Sequence, residues 1–166
     1  MRALITPRRA WFWAAAVVWL AGCSTLPRPP QAVTRYDLGA PAALAAPPAV
    51  ALPAVALGPV QAPLLADGST LVHYRLAYAD AQVLRAYTQA RWSVPPAQMV
   101  QQRLREHLTQ GGRVVLSAAP GEALPSVQGR RVPVLRLALE EFSHVFTTAQ
   151  DSVGWVRVRA TLVDPA

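Results

Sequence analysis

The chain has 166 residues, 52% of them hydrophobic and 15% charged, with a formal net charge of +7. That length is enough for one domain with its own core, and the single cysteine, Cys23, excludes a disulfide framework, a four-thiolate zinc site, a thioredoxin-type pair and an iron–sulfur cluster. All sixteen basic residues are arginine. Beyond the N-terminus they are scattered singly or in pairs and form no stripe with interleaved aromatics, so the charge does not point to a nucleic acid partner.

Arg2, Arg8 and Arg9 precede ten successive apolar residues, 11–20, the charged start and short apolar stretch of an export signal. Crossing a bilayer takes about 20 apolar residues, so a permanent span is not expected. Leu20-Ala21-Gly22-Cys23 resembles the lipobox of bacterial lipoproteins. Small residues at 21 and 22 admit the backbone to a narrow peptidase cleft, and the Cys23 thiol receives diacylglycerol before the cut. Residues 1–22 are therefore expected to be a cleaved signal peptide. Cys23 is the expected lipidation site, bearing palmitate-type chains that each contribute about 0.8 kcal/mol per buried methylene. By analogy with Gram-negative lipoproteins, Ser24 in place of aspartate permits transfer to the periplasmic face of the outer membrane.

Residues 23–48 are rich in proline and alanine, which favours extended chain over packed structure. They read as a tether, interrupted by a short docked segment at Tyr36-Asp37-Leu38-Gly39. Residues 49–166 read as the folded domain. Pro53 within 49–57 predicts an edge strand or a bulge there, because proline cannot donate to a ladder. Residues 71–78 alternate, with Val72, Tyr74, Leu76 and Tyr78 opposite His73 and Arg75, and the turn sequence at 65–69 predicts a hairpin joining 49–57 to 71–78. Residues 83–87 fit either a short strand or a helix.

Residues 93–110 predict an amphipathic helix. Ser93 stands at the cap, Pro95 and Pro96 in the first turn, and Ala97, Val100, Leu104 and Leu108 form one stripe that Gly111-Gly112 terminates. A short strand at 113–117 and a loop at 118–131 follow. Residues 134–142 place Leu135, Leu137 and Leu139 inward; residues 155–163 place Val156, Val158, Ala160 and Leu162 against Arg157, Arg159 and Thr161. The fold class is α+β, a mainly antiparallel sheet with the helix packed on one face.

Nothing in the sequence points to catalysis. No G-x-S-x-G elbow and no glycine-rich phosphate loop occur. His73, His107 and His144 lie far apart without a second ligand at metal-like spacing, and adjacent Glu140 and Glu141 point to opposite faces of a strand. The chain is read as no enzyme, with no cofactor and no metal. The most individual segment is Arg91-Trp92-Ser93-Val94-Pro95-Pro96. Arg91 and Trp92 at a helix start are either a partner-interface anchor or, in Trp92, a plug beneath the helix.

Taken in order, the lipobox, Tyr36-Asp37-Leu38-Gly39, Val72-His73-Tyr74-Arg75, Tyr87, the Arg91-to-Pro96 segment, Leu137-Ala138-Leu139-Glu140-Glu141-Phe142 and the strand at 156–162 resemble the auxiliary lipoproteins of ABC-type transport systems, the PqiC-like family. The resemblance implies a non-enzymatic periplasmic component that works with an MCE-domain protein, a permease and an ATPase in moving lipid between two membranes. A homo-oligomer is compatible with it. Family members continue for several dozen residues past the point matching Asp164-Pro165-Ala166, so the expectation is either a truncated chain or one without the closing elements, leaving an exposed sheet edge. A second reading is a periplasmic lipid-binding carrier with an apolar pocket between helix and sheet.

Overall fold

The computed structural model describes residues 32–41, 52–65 and 68–164. The expected signal peptide, Cys23, Ser24 and most of the tether lie outside the described residues. The chain divides into two units, Met1–Ala32 and Val33–Ala166, and the described elements belong to the second.

A seven-stranded sheet is built from β1 (Thr34–Tyr36), β2 (Val55–Leu57), β3 (Leu71–Leu76), β4 (Asp80–Trp92), β5 (Val115–Ser117), β8 (Val134–Phe146) and β9 (Ser152–Val163). One helix, α1 (Pro96–Gln110), and a two-strand ribbon of β6 (Ser126–Val127) and β7 (Arg130–Arg131) complete the described elements. The long ladders, β3–β4 and β8–β9, are antiparallel. Short parallel pairings, β1–β4, β2–β5, β2–β8 and β3–β8, make the sheet mixed. Parallel neighbours need crossovers, and the β3–β4 hairpin with α1 supplies the one between β2 and β5.

Two pairings differ from the sequence reading. β2 does not form a hairpin with β3; it lies between β5 and β8 and is buried throughout. Pro53 precedes the strand and so costs no ladder bond, while Val55, Ala56 and Leu57 are apolar on both faces, as a strand covered on both sides requires. Leu57 joins the cluster under α1, and Ala56 packs with Val132 and Val134 on the other side. The partner of β3 is β4, reached through a turn at 77–79. The ambiguous residues 83–87 are the middle of that thirteen-residue strand.

The helix begins at Pro96, with Pro95 rather than Ser93 at the cap position and no side-chain cap bond. Proline at the first helical position loses no donor the helix would use. Gly112, at φ +77°, turns the chain after the last helical turn, a conformation that favours glycine. Pro96 and Met99 are the buried residues of the helix, with Ala97, Val100 and Leu104 partly buried on the same core. Together with Leu57, Val60, Leu137, Leu139 and Phe142 they form the main core. A bulge between Leu139 and Glu141 resets the alternation, which is why both Leu139 and Phe142 face this core from positions three apart.

β9 departs most from expectation. It pairs with β8 along its whole length, yet all twelve residues are exposed, Val156 to 57% and Leu162 to 62%. Among the described residues nothing packs on the apolar row Val156, Val158, Ala160 and Leu162, because α1 lies over β8 and β2.

Candidate functional site

An apolar groove of about 600 Å³ crosses the sheet beside the start of α1. Its walls come from the 36–38 segment, β3, β4, β8 and β9; α1 itself contributes none. The expected pocket between helix and sheet is therefore displaced onto the sheet, since Leu57, Met99, Leu137 and Leu139 already fill the helix–sheet interface.

Strand alternation builds the floor. Phe142, His144 and Phe146 occupy one face of β8. The Trp92 ring packs edge-on to Phe142 at 5.2 Å between centroids, and Tyr87 lies 4.6 Å from Tyr74. The Tyr87 hydroxyl and His144 Nδ1 are hydrogen-bonded at 2.9 Å, and the His144 ring is 4.5 Å from that of Phe146. Burial, with the nearby Tyr74 as a smaller cause, raises the Tyr87 pKa, so the hydroxyl stays protonated across the physiological range.

One wall is the docked segment inside the tether. β1 pairs in parallel with the end of β4, Tyr36 opposite Trp92, and Ser93 N–H donates to the Tyr36 carbonyl at 2.7 Å. Asp37 accepts from Gly39 N–H at 2.7 Å, which lets Gly39 take a φ of +65°. Arg103 on α1 donates to the carbonyls of Leu38 (3.0 Å) and Gly39. The strap from 34 to 39 is thus fastened to both the sheet and the helix.

The two residues singled out in the sequence fall at this junction. The Trp92 ring lies between core and groove, with its Nε1 buried and without a hydrogen-bond partner. Arg91 turns back on its own strand, Nη1 donating to the carbonyls of Tyr87 (2.8 Å) and Ala90 (2.7 Å). The groove residues Phe142, His144 and Val156 escaped the sequence reading of the site. Their period-two spacing was visible, but the strand pairing that brings them beside Trp92 was not.

The opposite face of β3 and β8 carries a polar network. Arg75 makes a two-pronged contact with Glu141, Nε to Oε1 at 3.2 Å and Nη2 to Oε2 at 3.3 Å, and Nη1 donates to the carbonyls of Ala81 and Gln82, each at 3.2 Å. Ser143 Oγ donates to Glu141 Oε1 at 2.6 Å. One guanidinium therefore fastens the β3–β4 hairpin to β8. Burial would raise the Glu141 pKa, but the hydrogen bonds from Ser143 and Arg75 and the charges of Arg75 and Arg157 outweigh it and hold the carboxyl below its usual value of 4.5. Burial, aided by the Arg75 charge and opposed by Glu141, lowers His73 below the ordinary 6.5.

Both groups bind protons less readily in the folded than in the unfolded chain. The His73 contribution is complete above 6.5 and the Glu141 contribution above 4.5, and each is lost as pH falls through the group's folded value. The thermal midpoint is expected to fall steadily between about pH 7.5 and about pH 3.5. His73→Gln should flatten the upper part of that curve and Glu141→Gln the lower part. A midpoint that stays level or rises on acidification contradicts the assignment.

His107 lies on exposed helix surface and joins neither of the other histidines. Among the described residues, no group of three or more His, Cys, Asp or Glu is gathered as a metal site would require. What the arrangement offers is an apolar, aromatic-floored surface, suited to holding an apolar group.

A crystal structure of a Xanthomonas campestris protein of the DUF330 family is similar in fold, with a TM-score of 0.56, 15% identity, and 78% of this chain and 67% of that chain covered. A second solved structure, of an uncharacterized protein, gives a TM-score of 0.46 at 12% identity over 79% of this chain and 80% of that one. No curated protein matches the sequence. The model of the family described as the ABC-type transport auxiliary lipoprotein component matches residues 36–162, from the strap that walls the groove to the end of the last strand, and the chain belongs to that family.

Proposed function

We propose that the protein is a docking subunit of an ABC/MCE-type intermembrane lipid-transport system, held by lipid on Cys23 to the periplasmic face of the outer membrane and acting by binding rather than catalysis. The observation that carries this reading is the family match over residues 36–162, nearly all of the described fold. The lipobox at 20–23 and the proline-rich stretch after it supply the anchor and tether. The sequence resemblance to PqiC-like lipoproteins supports an MCE-domain protein, with its permease and ATPase, as the partner.

Tethering has a physical return. A body held on a leash meets a membrane-bound partner at the effective concentration set by the leash, so a modest interface gives lasting association. At about 3.1 Å per residue, an extended proline-rich leash lifts the body clear of the head groups. The test is affinity capture of the tagged full chain from crosslinked cell envelopes. An MCE-type protein is expected with it, retained in detergent when Cys23→Ala removes the lipid. Capture without an MCE-type, permease or ATPase component contradicts the proposal.

The groove favours one further reading, a lipid-binding carrier, because about 600 Å³ of mainly apolar space lies in the range of small-ligand sites. Native mass spectrometry separates the two readings: co-purified lipid displaced by Val156→Glu, at an exposed position on the groove wall, supports the carrier, and lipid-free protein removes it.

A further inference from the structure

We infer that the strap at 34–39 is a clip locked by Arg103, which opens while the sheet and helix stay folded and in opening both lengthens the leash and removes one wall of the groove. The leash half of this inference rests on the lipid anchor proposed above; the clip itself does not.

The strap is held differently from the rest of the fold. β2 enters the sheet by burying Val55, Ala56 and Leu57, whereas among the described residues neither core cluster includes a strap residue. What holds the strap is a three-residue parallel ladder with β4, the bond from Ser93 N–H to the Tyr36 carbonyl, and Arg103. Ordering the backbone of such a segment costs entropy that a few hydrogen bonds exceed only narrowly. A segment balanced in this way opens locally, without the global transition.

Arg103 sets that balance. It stands on α1, which is fixed in the core through Met99, Val100 and Leu104. Its Nη2 donates to the carbonyls of Leu38 (3.0 Å) and Gly39. The Asp37 turn, with Gly39 at φ +65°, presents these two successive carbonyls to one nitrogen. Among the described residues the Arg103 guanidinium is paired with no carboxylate, so its charge-assisted bonds, stronger than neutral ones, go to the strap.

Opening has two consequences. The chain runs 11 residues from Cys23 to the start of β1 and 32 to the start of β2. Releasing the strap adds the residues up to β2 to the leash, which raises its greatest reach from roughly 40 Å to roughly 110 Å at about 3.5 Å per residue. Tyr36, Asp37 and Leu38 leave the groove in the same step, because they are its strap wall. The coupling is reciprocal: whatever fills the groove against that wall keeps the leash short, and extension of the leash opens the groove.

The test is limited trypsin digestion of the purified full chain in mild detergent, with the cuts mapped by mass spectrometry. Arg35 lies inside β1, and the nearest arginine before it, Arg28, is followed by Pro29, a bond trypsin leaves intact. A protease needs a locally opened segment, so the cut at Arg35–Tyr36 reports opening of the clip. Arg103→Gln should speed that cut roughly tenfold. In hydrogen exchange, the Ser93 amide, bonded to the Tyr36 carbonyl, should speed by a similar factor, while the Leu139 amide, bonded to the Gln61 carbonyl, should not change. Thr34 stands opposite Ala90 in the ladder, so Thr34→Cys with Ala90→Cys should close the clip with a disulfide and suppress the cut until it is reduced. Equal acceleration of the Ser93 and Leu139 amides, an Arg103→Gln chain cut no faster than the parent, or a cut indifferent to the disulfide overturns the inference. The digestion needs no lipid, so a chain without lipid that still shows this pattern counts against the anchor alone.

Discussion

Leu139→Ala is expected to lower the free energy of unfolding by about 3 kcal/mol and the thermal midpoint by about 10 °C. Leu139 is fully buried, in the middle of β8 and directly beneath α1. β8 is held by β9 on one side and by β2, the Gln61 bridge and β3 in series on the other. A strand pinned on both edges cannot collapse into the void left by three missing carbons, so the loss of buried area and the cavity both count. Leu162→Ala, at an exposed position on the neighbouring strand, should change stability by less than about 0.5 kcal/mol. Comparable losses at the two sites would show that the core does not lie where Leu57, Met99, Leu137 and Leu139 meet.

Trp92 carries the second large effect. Trp92→Ala removes a ring that packs edge-on to Phe142 and separates the core from the groove, at a cost of about 3 kcal/mol or more. Trp92→Phe retains a ring against Phe142 and also removes the buried, unpartnered indole N–H. Relief of that unmet donor offsets much of the lost volume, so the phenylalanine variant should lie within about 1 kcal/mol of the parent. It then separates the two roles open for this residue. A folded Trp92→Phe protein that still captures the partner marks Trp92 as a plug; one that folds but loses capture marks it as an interface anchor. Urea unfolding with envelope capture reads both.

These effects also show what the sequence can and cannot disclose. The helix was legible because its signals are local: prolines where no donor is lost, a three-and-four apolar spacing, and a glycine pair where the chain turns. The strand at 134–142 was legible for the same reason. Strand pairing is not local. Residues 49–57 and 71–78 looked like hairpin partners because a turn sequence joins them, but β2 is apolar on both faces and satisfies itself only between β5 and β8. The edge-strand expectation from Pro53 failed because the proline stands outside the three paired residues. The bulge at Glu140 has no signature in composition, and it alone carries Phe142 into the core beside Trp92. The period of β9 was read correctly, but alternation reports which residues share a face, not whether anything covers that face.

The candidate site followed the same division. Arg91 and Trp92 stood out as an unusual pair before a helix, whereas the groove they adjoin is assembled from five separated segments and exists only through their register. The strap at 34–39 lies between: Tyr36-Asp37-Leu38-Gly39 was visible as a docked interruption of the tether, but its fastening by Arg103, 65 residues away from Leu38, was not.

Docking from a leash requires the leash to be fixed, so the proposed lipidation of Cys23 is the step on which the docking role stands or falls. The direct measurement is growth with radiolabelled palmitate followed by separation of the cell envelope. Label is expected in the full chain and in the outer-membrane fraction, with Cys23→Ala unlabelled, still carrying its uncut apolar segment 11–20 and absent from the outer-membrane fraction. Parent protein that takes up no label and is recovered outside the outer-membrane fraction would contradict it.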